Sequence, residues 1–95
     1  MQIKRMAVAG TLESSDIMVT VSPETEGINI ALTSSVEKYY GDSIRETIGQ
    51  VLRDLGVASV GVKAVDHGAL DCTIRARVTT AVRRAATATG EEALK

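Results

Sequence analysis

Residues 17–33 read IMVTVSPETEGINIALT, and the spacing of their apolar side chains decides the fold class. Apolar residues alternate with smaller or polar ones at positions 17–21 and again at positions 28–32, which is the period of a half-buried strand. Between them, Pro23 and Gly27 predict a turn, because proline fixes φ and glycine permits positive φ. Two strands joined this closely predict an antiparallel hairpin.

A helix is predicted from about residue 35 to residue 55. At about 100° per residue its apolar positions fall on one stripe, as expected for a helix packed on a sheet; they are Val36, Tyr40, Ile44, Ile48, Val51, Leu52 and Leu55. Ser34 and Glu37 fit a capping box at its start. Gly56 follows where a left-handed C-cap is expected.

The second half of the chain predicts one more strand and one more helix. Residues 57–65 form the strand, with Val60, Val62 and Ala64 on one face. Residues 70–85 favour a helix, because their helical stripe, which begins at Leu70, persists after the strand-like alternation stops at residue 78. The predicted fold is an α+β two-layer sandwich in the order strand, strand, helix, strand, helix, with a three-stranded sheet and both helices on one face.

Length and composition restrict the possible functions. With 95 residues the chain forms a single domain, 1–95, in which 1–15 is expected to be an N-terminal arm or ordered loop and 88–95 a flexible tail. The net charge of −1 gives no reason to expect nucleic acid or an anionic membrane as partner. No apolar run approaches the ~20 residues that span a bilayer.

Few side chains are suited to catalysis or to metal binding. One cysteine excludes an internal disulfide and, without a recognisable secretory signal, favours the cytoplasm. A structural zinc site needs about four ligands, and the chain has one histidine and one cysteine. No nucleophile, acid and base can be assembled, so the chain is predicted not to be an enzyme.

Several polar residues remain as weaker candidates. His67, beside Asp66 on a predicted turn, has the chemistry of a proton shuttle, but a solvated turn residue is favoured. Cys72, near the start of the second helix, is expected to be partly exposed and has no partner for a relay. The polar side of that helix is a solvated face or a surface for docking a partner protein, and its arginines are Arg75, Arg77, Arg83 and Arg84.

Two serines are candidates for covalent attachment of a carrier group. Ser43, in the sequence GDSI at 41–44, resembles the Asp-Ser-Leu signature of ordinary acyl carrier proteins. In those proteins the serine opens a helix of a four-helix bundle, whereas Ser43 falls in the second turn of a helix flanked by strands. Ser14 is the better candidate, because the residues around it resemble a different carrier family.

The sequence AGTLESSD at 9–16 resembles the N-terminal segment of the citrate lyase acyl carrier proteins, the gamma subunits of that enzyme. The resemblance continues through SSVEK at 34–38, GD at 41–42 with IR at 44–45, and GALDC at 68–72 with RAR at 75–77, and it spans roughly residues 7–85. The acyl carrier of malonate decarboxylase is a more distant relative, similar at residues 10–14. Ser15 adds a second hydroxyl, but the spacing to Asp16 favours Ser14.

The resemblance implies a function, a cofactor and partners. In the family, the serine that matches Ser14 is joined by a phosphodiester to phosphoribosyl-dephospho-coenzyme A, whose thiol bears an acetyl thioester. The alpha subunit exchanges acetyl for citryl, and the beta subunit cleaves the citryl thioester to oxaloacetate. A prosthetic-group transferase and an acetylating ligase mature the carrier. The alternative is a small binding or assembly module without a covalent group, docking a partner through its sheet or its arginine-bearing helix.

Overall fold

The computed structural model describes residues 1–87, which form a four-stranded sheet covered on one face by two helices. In chain order the elements are β1 (Ala7–Ala9), β2 (Ile17–Ser22), β3 (Ile28–Ser34), α1 (Glu37–Asp54), β4 (Val60–Asp66) and α2 (Asp71–Ala86). The predicted α+β class and both helices are confirmed, whereas the prediction of three strands is wrong. The tail expected at 88–95 lies outside the described residues.

The strand order is β1-β2-β4-β3, so the predicted hairpin of β2 and β3 is also wrong. β4 lies between them, antiparallel to β2 and parallel to β3, with Ile17 opposite Asp66 and Ile28 opposite Val60. The segment 23–27 crosses the start of β4, where the Val60 amide donates to the Gly27 carbonyl at 3.0 Å. The alternation of apolar residues shows which side chains of a strand are buried. The same alternation is expected whether two strands pair directly or are separated by a third strand, so it does not predict which strands are neighbours.

The missed strand, β1, lies in the segment that was expected to be an arm or ordered loop. It pairs antiparallel with β2, from Ala7 opposite Val21 to Ala9 opposite Val19. Its three residues are too few to show a two-residue period. Before it, Ile3 is buried in the core and the Lys4 amide donates to the Ala85 carbonyl at 2.9 Å, which fastens the segment to α2.

The core between the sheet and the helices is aliphatic, because the two tyrosines are exposed. Alternate residues of β2 and β4 face it, together with the apolar stripes of α1 and α2. Its largest completely buried apolar side chains are Ile17, Val19, Val21, Ile48, Leu52, Val60, Val78 and Val82. Neither described helix is long and apolar enough to cross a membrane.

The two ends of α1 differ in how well the sequence predicted them. Gly56 takes a φ of +70°, and the amides of Gly56 and Val57 donate to the carbonyls of Arg53 and Leu52, so the predicted left-handed C-cap is confirmed. The capping box is wrong, because β3 continues to Ser34 and the helix begins after Val36 without a side-chain cap.

Loops and helix starts meet at one end of the domain. β3 and β4 run parallel and end together at Ser34 and Asp66, and β2 begins beside the end of β4. Both helices therefore begin at this edge, shortly after β3 and β4. We call this region, formed by residues 10–16, 35–36 and 67–70, the Ser14 end.

Candidate functional site

Ser14 lies in the loop 10–16 that joins β1 to β2. Its last four residues form a tight turn, in which the Asp16 amide donates to the Glu13 carbonyl at 3.2 Å and Ser15 takes a φ of +64°. Ser14 and Ser15 are exposed, and within residues 1–87 neither hydroxyl makes a hydrogen bond. The loop therefore presents two unengaged alcohols to solvent.

The carboxylate of Asp16 closes the loop at its base. It accepts from the Thr11 hydroxyl at 2.6 Å and the Thr11 amide at 3.1 Å, which joins the beginning of the loop to its end. Arg77 of α2 donates to the same carboxylate, and the Ile17 amide donates to it at 2.7 Å. The Arg77 guanidinium, aided by Thr11 and Ile17, holds the pKa of Asp16 well below its usual range. Asp16 thus stays ionised and fixes the loop to α2.

Gly10 lets the chain enter the loop close to β2. Its φ is +94°, and a Cβ built there would lie 1.9 Å from the Ile17 carbonyl oxygen. Any side chain would force the two segments apart, in addition to the cost of a left-handed backbone. Gly10 therefore determines how closely the loop approaches β2.

Main-chain hydrogen bonds join the loop to the turn after β4. The Ser15 amide donates to the His67 carbonyl at 2.8 Å, and the His67 amide donates to the Asp16 carbonyl at 2.9 Å. These bonds extend the ladder of β2 and β4 beyond the pair of Ile17 and Asp66. The candidate serine therefore projects from the end of the two central strands.

The Asp66 carboxylate has a structural role that separates it from the imidazole of His67. It accepts from the Ser34 hydroxyl at 2.8 Å and from the amides of Gly68 and Ala69 at 3.0 Å, and Asp66 is buried. The exposed His67 side chain makes no hydrogen bond within residues 1–87. The structure therefore gives the proton-shuttle hypothesis for His67 no acid or base partner.

The other candidates are dispersed. Cys72 is exposed in the first turn of α2, as expected. The arginines of α2 are partly used within the domain, since Arg75 pairs with Asp71 at 2.8 Å and Arg84 donates to the Val8 carbonyl at 2.8 Å. Among residues 1–87, no group of three or more histidine, cysteine, aspartate or glutamate side chains could hold a metal ion.

A groove of about 340 Å³ opens between the first turns of α1, the first turns of α2 and residues 68–70. Tyr40 and Leu70 line it with 60% and 69% of their surface exposed, although both were expected to belong to apolar helix stripes that face the core. Ser43 lies on its wall, in the second turn of α1 as predicted. On the opposite wall, Asp71 accepts from the Thr47 hydroxyl at 3.0 Å.

Sequence reasoning missed the residues that shape the Ser14 loop. Gly10 was noticed only as a member of a motif, and its positive φ depends on contact with a strand seven residues later. Asp16 and Arg77 are 61 residues apart, so no local spacing joins them. Their only local signals were a carboxylate directly before a strand and an arginine on a predicted polar face.

The chain is similar to acyl carrier proteins over nearly its whole length. The family model described as malonate decarboxylase delta subunit (MdcD), an acyl carrier protein family, matches residues 4–85. The citrate lyase acyl carrier protein of Streptococcus mutans serotype c is 61% identical over 87 residues, and that of Streptococcus uberis is 62% identical over 86. Both alignments cover 90% of this chain and 85% of the relative. The corresponding protein of Lacticaseibacillus casei is 58% identical over 85 residues.

A solved structure has the same fold. A chain in the crystal structure of a Pseudomonas malonate decarboxylase hetero-tetramer in complex with malonate matches with a TM-score of 0.71. The match covers 84% of this chain and 82% of that chain, at 19% sequence identity. At this identity the likeness supports the fold alone.

Proposed function

The chain belongs to the acyl carrier protein family that includes the citrate lyase carriers, and from that membership we propose that Ser14 bears its prosthetic group. As an acyl carrier protein of citrate lyase, it is a non-catalytic subunit whose acyl group travels on an attached arm. The reacting sulfur then belongs to the arm, which fits a chain with a single cysteine and a single histidine.

One observation carries the choice of this turn: the hydroxyls of Ser14 and Ser15 are exposed and make no hydrogen bond within residues 1–87, on a turn that the rest of the domain holds in place. The resemblance to the citrate lyase carriers favours Ser14 of the two. An alcohol of this kind can supply the ester oxygen of a phosphodiester. The Ser34 hydroxyl, by contrast, already donates to Asp66 and accepts from the Val36 amide at 3.1 Å. The residues at the Ser14 end therefore fit an attached phosphoryl group.

The group we propose is phosphoribosyl-dephospho-coenzyme A, joined to Ser14 through a phosphodiester. When bound, it supplies a terminal thiol that bears acetyl and citryl groups as thioesters. The chain's own residues hold the point of attachment: Ser14 provides the ester oxygen, and Asp16 and Arg77 fix the loop beneath it. Within residues 1–87 no side chain is hydrogen-bonded to the Ser14 hydroxyl, so the modifying enzyme supplies the base.

The proposed partners each act on the arm. They are the alpha subunit, which exchanges acetyl for citryl, the beta subunit, which cleaves the citryl thioester, the prosthetic-group transferase and the acetylating ligase. Tethering raises the effective concentration of the thioester at the neighbouring active sites, so the carrier itself needs no catalytic side chains. The chain has one cysteine, Cys72, which is free and exposed, and a free thiol is compatible with the reducing cytoplasm that we propose as its location.

A malonate decarboxylase carrier is the second candidate, because the family model that matches residues 4–85 is named after that enzyme. The chain is 61% and 62% identical to two citrate lyase carriers, which favours citrate lyase over malonate decarboxylase. Reconstitution separates the two: the modified and acetylated chain should support citrate cleavage with citrate lyase alpha and beta subunits. It should not support malonate decarboxylation with the corresponding decarboxylase subunits.

Intact mass tests the attachment site. Protein made together with its maturation enzymes should be heavier than the unmodified chain by one prosthetic group, and Ser14→Ala should remove that addition. Ser15→Ala and Ser43→Ala are the matched controls and should keep it. An addition that survives Ser14→Ala and disappears in either control would place the site elsewhere. No addition to the wild type would favour the assembly module.

A further inference from the structure

The Ser14 end exposes more apolar surface than folding alone requires. Of the large apolar side chains that are exposed within residues 1–87, four lie at this end or on the first turn of α1 beside it: Leu12, Tyr39, Tyr40 and Leu70. Tyr40 and Leu70 both line the groove described above, and the remaining lining is mostly apolar. Exposed apolar surface that is concentrated at one end of a small domain indicates a binding site for a ligand or a partner.

The groove lies within reach of a group attached to Ser14. The Ser15 amide is 2.8 Å from the His67 carbonyl oxygen, and His67 is followed directly by Gly68 on the groove wall. Standard covalent geometry then places the Cα atoms of Ser14 and Gly68 within about 8 Å of one another. Whatever is attached to Ser14 therefore begins close to the groove.

The lining suits a flat heteroaromatic ring better than a flexible chain. A volume of 340 Å³ is at the lower end of the range, about 300–1,000 Å³, of pockets that bind small molecules. The Tyr40 ring offers a stacking surface, and Leu70 an apolar wall. Asp71 and Ser43 add hydrogen-bonding oxygens at the sides, which match the amino group and ring nitrogens of adenine.

We propose that this groove binds the adenine base of the prosthetic group carried on Ser14, an inference that rests on the proposed attachment. The phosphoribosyl unit separates the serine oxygen from the dephospho-coenzyme A part, so the base is close to the root of the arm and the thiol is at its far end. Holding the base against Tyr40 fixes the root while the thiol end stays free. The carrier then presents the thioester in a restricted direction.

Nuclear Overhauser effects between the base and the protein test this directly. The modified protein is prepared with ¹³C and ¹⁵N in the chain, and contacts are recorded from the adenine H2 and H8 protons. Contacts to the Tyr40 ring and the Leu70 methyl groups are expected. Tyr40→Ala should abolish them, while Tyr39→Ala should keep them, because Tyr39 is the next residue, is 78% exposed and does not line the groove.

Each outcome decides something different. If mass spectrometry finds the group on Ser14 but the wild-type protein gives no base-to-groove contacts, the groove does not hold the base and the attachment stands. If no group is found on Ser14, the attachment itself is wrong. If the groove signals change only when the alpha subunit is added, the groove docks a partner protein and the inference is overturned. The wild-type contacts decide the matter even if Tyr40→Ala prevents modification.

Discussion

Arg77 donates two hydrogen bonds to the carboxylate of Asp16, from Nε at 3.0 Å and from Nη2 at 3.1 Å. The two residues are 61 positions apart, one in the middle of α2 and the other at the base of the Ser14 loop. The Asp16 side chain is 12% exposed and that of Arg77 is 40% exposed, so the carboxylate of this pair, but not the whole guanidinium, is shielded from water. It holds the loop at a set position over the helix.

Arg77→Met tests this pair, because methionine keeps an apolar stem and removes the guanidinium. The buried Asp16 carboxylate then loses its counter-ion, and we expect the Thr11 amide to exchange with solvent about tenfold faster. Transfer of the prosthetic group to Ser14 should also slow, because the turn is no longer held.

Arg83→Met is the control for Arg77→Met, since Arg83 is exposed in the last turn of the same helix. It should leave exchange in the loop unchanged. In the wild type, we expect residues 10–15 to exchange faster than residues 44–52 of α1. Equal exchange of the Thr11 amide in Arg77→Met and in the wild type would show that the pair does not hold the loop.

Gly10→Ala should destabilise the domain by more than about 2 kcal/mol. A left-handed backbone alone costs roughly 1–2 kcal/mol for alanine, and the new Cβ would also meet the Ile17 carbonyl oxygen at 1.9 Å. Gly27→Ala is the matched control: its φ is +74°, but nothing lies within 4 Å of the added atom. Urea unfolding of both variants measures the difference, and equal losses would contradict the close approach at Gly10.

Acid should destabilise the domain partly through Asp16. Its folded-state pKa lies below its unfolded value, so the stabilising contribution is complete above the unfolded pKa of about 3.9 and is lost as the pH falls towards the folded pKa. Between about pH 5 and pH 2, the free energy of unfolding should therefore fall less steeply in Asp16→Asn than in the wild type.

Asp71→Asn is the comparison for the acid prediction. The pKa of Asp71 is also lowered, by Arg75 and then by Thr47, but its side chain is 63% exposed and solvent weakens the pair. Its substitution should change the acid dependence less than that of Asp16. Urea unfolding midpoints of the two variants and the wild type, measured from about pH 5 to pH 2, test this. If the midpoint of Asp16→Asn falls with pH in parallel with that of the wild type, the prediction is contradicted.

Leu52→Ala should cost about 2–5 kcal/mol, the range for truncating a buried leucine, because Leu52 is completely buried in a core without aromatic side chains. Domains of this size have a total stability of about 5–15 kcal/mol, so the loss is a large fraction. Leu70→Ala removes the same atoms at a position that is 69% exposed and should change stability by less than about 0.5 kcal/mol. Thermal and urea unfolding test this pair, and similar losses would place Leu70 in the core.

Local patterns predicted the elements, and long-range pairing decided how they are arranged. The alternation at Ile17, Val19 and Val21 and the C-cap at Gly56 depend on neighbouring residues, and the structure has both. The position of β4 between β2 and β3 depends on hydrogen bonds made after α1 has turned the chain back. No spacing within 17–33 distinguishes that arrangement from a hairpin.

The site divides in the same way. Ser14 was chosen through a resemblance across the chain, and its assignment remains a prediction. The ion pair of Asp16 with Arg77 and the groove between Tyr40 and Leu70 come from elements that meet only in the folded domain. Tyr40 and Leu70 were expected to face the core because they match the helical period, but both are exposed, Tyr40 in the first turn of α1 and Leu70 at the N-cap of α2.

The position of Ser14 just before β2 has a mechanical consequence. β2 is an inner strand, bonded to β1 on one side and to β4 on the other, with six residue pairs along β4. If Ser14 bears the arm as proposed, a pull directed along β2 loads the hydrogen bonds to both neighbouring strands together in shear, whereas a pull across the strand would break them one at a time. A partner that draws such an arm along this direction into its active site would therefore move the whole domain with it.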